Sequence, residues 1–286
     1  MSSAESYPFL KGHGTENDFV LLPDHDGAVH ADLPPARVRA LCHRRAGIGG
    51  DGVMRVIRAD AEPVREATRG QDAAWFMDYR NADGSLSEMC GNGVRVFGRH
   101  LALEGLVDPT APVPIATRDG VKVLTFAEGR AEGEITVDMG APKLLGATTV
   151  GIGERTWAAD GVDMGNPHAV AFLAPGDDLD VLGALATAPD HDPAFYPQGV
   201  NVEFVVRRGP RHVAMRVHER GSGETRSCGT GACAVMVATA VADEAERGTS
   251  YRVDLPGGTL TLTWTAEDRV LMTGPAVIVA AGTTSL

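Results

Sequence analysis

Hydrophobic and polar residues alternate with a period of two in short runs over much of the chain, and each half carries one longer apolar run. In the stretch 212–218, Val213, Met215 and Val217 fall on one face, while His212, Ala214, Arg216 and His218 fall on the other. That is the pattern of a half-buried strand. The same reading predicts strands at Val121 to Phe126, Glu134 to Met139, Ala169 to Leu173, Val200 to Val206, Tyr251 to Leu255, Thr259 to Trp264 and Arg269 to Thr273. Val94, Phe97 and Leu101 recur at helical spacing, and Gly105 closes that helix. Ala232 to Ala242 is apolar nearly all round, which predicts a helix buried on every side. The charged segment Ala59 to Asp72, with Pro63 inside it, predicts an exposed loop.

Each apolar helix follows the same unusual signature. Glu88-Met-Cys90-Gly-Asn-Gly-Val-Arg95 returns as Arg226-Ser-Cys228-Gly-Thr-Gly-Ala-Cys233. The motifs belong to a longer internal repeat. Asn17 and Asp51 are 34 residues apart in the first half, and Asn166 and Asn201 are 35 apart in the second. Asn81 and Glu219 each precede their cysteine by nine residues. Two long copies are not a solenoid, which needs three or more short repeats. They predict an α/β (α+β) protein of two pseudo-symmetric domains, each a mostly antiparallel sheet wrapped round a central buried helix. The expected domains are 1–133 with 276–286, carrying Cys90, and 134–275, carrying Cys228.

A length of 286 residues suits two domains with real cores. The 26 basic and 38 acidic side chains give a net charge of −12, which argues against a nucleic-acid surface. The start of the chain shows no basic and apolar leader, and no apolar run reaches the roughly 18 residues of a membrane span. Four cysteines in a chain of this length are not a disulfide framework. The expected setting is cytoplasmic, without membrane or nucleic-acid partners.

The chemistry concentrates at the duplicated cysteines. A helix N-terminus offers partial positive charge and unpaired N–H groups, which favour a thiolate and bind anions. The glycines at 91, 93, 229 and 231 let the backbone approach a ligand. Two such ends aimed at one carbon could take a proton from one face and return one to the other. The bland reading, two buried structural cysteines, is weakened because packing alone has no reason to repeat Cys-Gly-x-Gly in register. Cys42 and Cys233 lack the motif and read as structural. Glu219-Arg220 closes an alternating strand, where Arg can fork a carboxylate and Glu can accept from an ammonium; a solvated ion pair is the plainer reading. Asn17, Asn81, Asn166 and Asn201 lie by turns, where Asn is common, yet all four line the repeat. His168, after Asn166-Pro167, is by itself more often a packing residue. The nine histidines form no metal-ligand pattern.

In these motifs the chain resembles the diaminopimelate epimerase family. The matching segments are Asn17-Asp-Phe19, Gly47-Ile-Gly-Gly-Asp51, Asn81-Ala-Asp-Gly-Ser85 through Cys90-Gly-Asn-Gly93, Gly165-Asn-Pro-His168, Glu219-Arg-Gly221 through Cys228-Gly-Thr-Gly-Ala-Cys233, and Asp254-Leu-Pro-Gly-Gly258. They run in family order across nearly the whole chain. The resemblance implies an active site in the cleft between two domains and an isomerase with no metal and no other cofactor. Its reaction interconverts LL- and meso-2,6-diaminopimelate in lysine and peptidoglycan precursor biosynthesis. It implies that Cys90 and Cys228 are the acid/base pair, and that Asn17, Asn81, Asn166, Asn201, Glu219 and Arg220 contact substrate. The backbone of Gly91-Asn92 and Gly229-Thr230 would hold the carboxylate at the reacting centre, and His168 would support activity. Thiols sharing one α-carbon could also close into a disulfide.

The chain departs from some members at two positions. They carry Gln after the match to Asp51, where this chain has Gly52. They carry Tyr near the C-terminus at a dimer contact, where this chain has Ala280. A homodimer is therefore the weaker part of the analogy. Two rival readings share the thiols: a proline-type amino-acid racemase, which has no use for Arg220, and a redox-switched binding protein for an acidic amino acid, without turnover.

Overall fold

The computed structural model describes residues 6–30 and 32–286. The opening residues, read above for a leader, lie largely outside that range. The chain forms two compact units: Met1–Val137 with Pro275–Leu286, and Asp138–Gly274.

The first unit runs β1 (Tyr7–Gly14), β2 (Asn17–Pro23), α1 (Pro35–Cys42), β3 (Gly52–Arg58), β4 (Trp75–Asn81), α2 (Gly91–Leu103), β5 (Val113–Thr117), β6 (Gly120–Phe126) and β7 (Ile135–Asp138). The second runs β8 (Lys143–Ile152), β9 (Arg155–Asp163), β10 (Pro167–Phe172), β11 (Asp190–His191), β12 (Asn201–Gly209), β13 (His212–Glu219), β14 (Gly223–Thr225), α3 (Gly229–Ala242), β15 (Ser250–Leu255), β16 (Gly258–Trp264) and β17 (Val270–Gly274). The chain then returns to the first unit for β18 (Val277–Thr284).

The repeat seen in the motifs is a repeat of topology. In the first unit the strands neighbour one another in the order β18-β1-β2-β3-β4-β5-β6-β7, with β2–β3 and β4–β5 parallel and every other pair antiparallel. In the second the order β8-β9-β10-β12-β13-β15-β16-β17 has the same alternation, with β10–β12 and β13–β15 parallel. A parallel pair needs a crossover, which is most often a helix. Helix α2 fills that crossover between β4 and β5, and α3 between β13 and β15. The expected antiparallel surround of each helix thus contains two parallel pairs per unit.

Both helices begin earlier than hydrophobic spacing indicates, at Gly91 and Gly229, because the cysteine before each is the N-cap. Helix α2 is buried from Gly91 to Ala102 although it carries Arg95, Arg99 and His100. The two arginines are met by main-chain carbonyls: Arg99 Nε donates to Ala276 O at 2.9 Å and Arg95 Nη1 to Gly91 O at 3.2 Å. Helix α3 is apolar and buried up to Ala240, but Val241 at its end is 50% exposed, so burial on every side stops short of the last turn.

Strand β13 corrects the half-buried reading. Val213, Met215 and Val217 are buried as expected, but Ala214 and His218 on the other face are buried too. A second core covers that face, in which Val202, Phe204 and Val206 of β12 pack with Ala214, Leu179, Leu182 and Tyr196. The stretch Ala59 to Asp72 is indeed without a strand or α-helix, yet Val64 and Thr68 are buried, Thr68 Oγ1 donating to Ala59 O at 2.6 Å. No helix among the described residues is long and apolar enough to cross a membrane.

The first unit buries His30 and His100, each 3% exposed, with no hydrogen-bond partner at either ring nitrogen among the described residues. Burial, with Arg37 nearby, pushes His30 down to about 4, and burial lowers His100 as well. Both rings are therefore neutral when folded and ordinary when unfolded. A depressed folded pKa gives stability that is complete above about 6.5 and is lost as pH falls towards 4. Thermal melts between pH 7 and pH 4 should show a steep fall for the parent chain and a shallower one for His100→Phe; identical slopes would contradict this assignment.

Candidate active site

The two N-cap cysteines are built alike. Cys90 has φ −141° and ψ 119°, and its sulfur accepts from Gly93 N at 3.4 Å. Cys228 has φ −119° and ψ 113°, and its sulfur accepts from Gly231 N at 3.3 Å. An extended N-cap whose side chain takes the N3 amide is ordinary helix chemistry, but oxygen normally does it. A sulfur acceptor is weak, so the cap leaves a reactive atom lightly held at the end of the helix dipole.

Around Cys90, the first unit gathers the residues singled out by sequence. The thiol donates to Asn17 Oδ1 at 3.5 Å, and Asn92 Nδ2 donates to the same oxygen at 3.3 Å. Asp51, beside the parallel β2–β3 junction, fixes that amide's orientation by accepting Asn17 Nδ2 at 2.8 Å. Arg44 in turn holds Asp51 and Asp18. Asn92 is fully buried, and Arg95 Nη2 donates to its Oδ1 at 3.0 Å. Asn81 closes the turn before the cysteine, its Nδ2 donating to Ser85 Oγ at 3.0 Å. Gly52, one of the two departures noted above, has no room for a side chain: a Cβ there would lie 2.5 Å from Arg80 O and 2.5 Å from the Tyr79 ring. Ala280, the other departure, is exposed on β18.

The surroundings of Cys228 are acidic. Its thiol lies with Thr230 Oγ1 at 3.6 Å, and the Glu219 carboxyl is near enough to act on it electrostatically. Thr225 donates to Glu219. His168 is fully buried, with Nδ1 2.7 Å from Glu203 Oε1 and Nε2 3.1 Å from Asn166 Oδ1. Asn201 Oδ1 takes the Arg220 main-chain N–H at 2.8 Å, while the Arg220 guanidinium reaches Gln198 O at 2.8 Å and is otherwise exposed. Glu219 and Arg220 turn to different partners, the Thr225 hydroxyl and the Gln198 carbonyl, so a pair between the two does not describe them.

The electrostatics reverse one expectation. A helix N-terminus should lower a thiol, but burial pushes Cys228 well above its ordinary value, and Glu219 and Glu203 push it further. The opposing pulls, from Thr230 and the Gly231 amide, are smaller. Removing charge from water outweighs the partial charge of a helix end. Burial raises Glu219 as well, against the opposing pulls of Thr225 and Cys228. Cys228 therefore rests as a thiol beside a carboxyl that can take its proton. Cys42, the last residue of α1, packs in an apolar cluster with Val20, Leu22 and Val53, and burial pushes its thiol up to about 11. None of the four cysteines is joined in a disulfide.

Sequence reading missed Glu203 and left Asp51 and Arg95 without roles. Glu203 did leave a signal: it is the one charge inside the apolar run Val200 to Val206. Arg95 stood in plain view inside the helix, where charge usually marks the solvent face.

Comparison with known proteins places the chain in a family. The family model described as diaminopimelate epimerase matches residues 9–145 and 161–279. A diaminopimelate epimerase of Streptomyces coelicolor is 59% identical over 281 residues, covering 96% of this chain and 94% of that protein. One of Corynebacterium glutamicum is 46% identical over 277 residues, covering 96% and 97%. Among solved structures, a Bacillus anthracis phenazine biosynthesis protein of the PhzF family superposes with a TM-score of 0.67 at 16% identity, covering 98% of this chain and 99% of that one. A probable proline racemase from Agrobacterium radiobacter gives 0.67 at 16%, covering 98% and 93%. At that identity the two structures speak for the fold alone.

The two Gly-x-Gly turns differ in room. A Cβ at Gly231 would lie 2.6 Å from Glu203 Oε1 and 3.2 Å from Cys228 Sγ. At Gly93 the nearest atoms are Met54 Sδ at 3.2 Å and Cys90 Cβ at 3.3 Å, which small shifts absorb. Gly231→Ala should cut turnover by about tenfold or more and Gly93→Ala by much less, since small displacements of reacting groups are expensive. Steady-state rates of the two variants decide it, and equal losses would refute the difference in packing.

Proposed function

The chain belongs to the diaminopimelate epimerase family, and on that premise we propose that it interconverts LL- and meso-2,6-diaminopimelate by a cofactor-free, two-base mechanism. The observation that carries the proposal is the pair of sulfur-capped helices at matching places in a duplicated topology, one thiol among amides and the other among acids.

In the proposed turnover, Cys90 enters as thiolate and removes the α-proton, becoming a thiol. Cys228 enters as thiol and delivers its proton to the opposite face of the same carbon, becoming a thiolate. No net proton is gained or lost, and the reverse reaction exchanges the roles. Glu219, whose charge acts on Cys228, would be the acceptor that lets Cys228 begin the reverse direction as a base. An amino-acid α-proton is far less acidic than a thiol, so the carbanion must be met by fixed dipoles. The amides at Gly91-Asn92 and Gly229-Thr230 would supply them to the carboxylate at the reacting centre. Arg220, with Asn17, Asn81, Asn166 and Asn201, would hold the distal carboxylate and ammonium. Binding at that end drives the chemistry at the other, so a shorter amino acid should lose rate as well as affinity. A cytoplasmic homodimer without nucleic-acid or membrane partners completes the proposal.

Cys90→Ala and Cys228→Ala test the roles. Each variant should lose epimerisation by at least about a thousandfold, because a positioned acid or base contributes on the order of 10²–10⁴ and inversion needs both. The retained thiol should still exchange the α-proton with solvent without inverting it. Proton NMR in heavy water separates exchange from inversion, and full epimerisation by either variant would overturn the scheme.

A further inference from the structure

The duplicated topology allows the two catalytic frames to be compared position by position. In the parallel pair β2–β3, Phe19 is registered with Gly52, and in β10–β12 His168 is registered with Asn201. Asn17 stands two residues before Phe19, as Asn166 stands two before His168. Met54 and Glu203, each two residues on from the registered partner, therefore occupy equivalent places. The glycines of the two caps agree. Gly93 is walled by Met54 Sδ, Cys90 Cβ and the Phe19 ring, and Gly231 by Glu203 Oε1 and the Cys228 sulfur. Under the first turn of α2 the frame packs Phe and Met. Under the first turn of α3 it packs His and Glu.

Apolar packing is what this place accepts most readily, as the first unit shows. A buried His–Glu pair in the same place is no gain in stability over it. Glu203 is fully buried, and its Oε2 has no hydrogen-bond partner among the described residues. An orphaned buried carboxylate oxygen is a liability that packing does not explain.

We propose that Glu203 is a positioning residue for the Cys228 half-reaction: it fixes the His168 ring through Nδ1 and keeps the neighbouring sulfur in its proton-carrying form. The assignment rests on the two-base reading of Cys228 given above. Glu203 Oε1 lies 2.7 Å from His168 Nδ1, and Asn166 Oδ1 lies 3.1 Å from Nε2, so the ring is held between two oxygens. Its charge acts on Cys228 from β12, that of Glu219 acts from β13, and His168 on β10 acts on Glu219 in the opposite sense. Residues at the equivalent places in the first unit, Phe19 and Met54, carry no charge to exert on Cys90. The chain thus uses one frame to make two thiols of different character.

Glu203→Gln is the discriminating variant, since it keeps an oxygen for His168 Nδ1–H and removes the charge. The pH dependence of kcat/KM is read in both directions of the reaction. The limb that reports Cys228 should move down by roughly one pH unit, with KM changed little and the limb that reports Cys90 unmoved. The rate of Cys228 alkylation against pH, followed by peptide mapping in a Cys90→Ala background, should shift the same way without depending on turnover. A purely structural role would scale activity and leave both limbs where they are, and that result overturns the proposal. If Glu203→Gln does not fold, His168→Phe with Glu203→Met rebuilds the pair that the first unit already packs, and the same downward alkylation shift is expected of it. If Cys228→Ala itself still epimerises, the two-base reading fails. If Cys228 is essential but its limb does not move, only the role of Glu203 fails.

Discussion

The first turn of each buried helix is capped by sulfur, and the rest of the structure answers to that arrangement. Serine, threonine, aspartate or asparagine would cap these helices more firmly. Cys90 and Cys228 take the N3 amide at 3.4 and 3.3 Å and leave their sulfurs able to exchange a proton. The third position of each following turn is glycine, Gly93 and Gly231, and at Gly231 the space is closed to any side chain by Glu203 Oε1. The cap also requires a helix that cannot shift. Burial of α2 and α3 inside their sheets, at the crossover of a parallel strand pair, supplies that constraint.

Inversion at carbon asks for an acid and a base at the same moment, so two identical halves would be a poor solution. The duplicated frame has diverged where it matters. Cys90 lies among Asn17, Asn92 and the apolar Phe19–Met54 pair, with the Arg95 guanidinium one helical turn on. Cys228 lies among Glu219, Glu203 and His168, with Cys233 at the place of Arg95. Burial and neighbouring acids make the second thiol a proton holder despite its helix end. Local dipoles are small beside desolvation, and the balance between them is set by side chains far apart in sequence.

That balance marks the limit of what the sequence discloses. The repeat of Cys-Gly-x-Gly, the long apolar runs and the period-two strands of the second half were legible, because each is a local pattern. Strands β3 and β4 were not, because Arg55, Asp78 and Arg80 are buried in them: Asp78 is gripped by Arg55 at 2.8 Å and by Arg118, which hides any alternation. The exact match of strand order between the units was also invisible, being a property of pairing. Asn17, Asn92, Asn166 and Glu219 could be named from motifs, but Asp51 as the group that orients Asn17, and Glu203 as the partner of His168, emerge only when distant strands are brought together.

The central claim is that one thiol takes the α-proton and a different thiol returns one. A single-turnover reaction of LL-diaminopimelate with excess protein in heavy water tests it most directly. The account predicts that meso product carries deuterium at the inverted carbon from its first appearance, while recovered LL substrate is initially unlabelled. Deuterium accumulating in LL substrate ahead of meso product, or meso product that retains the original proton, would contradict it.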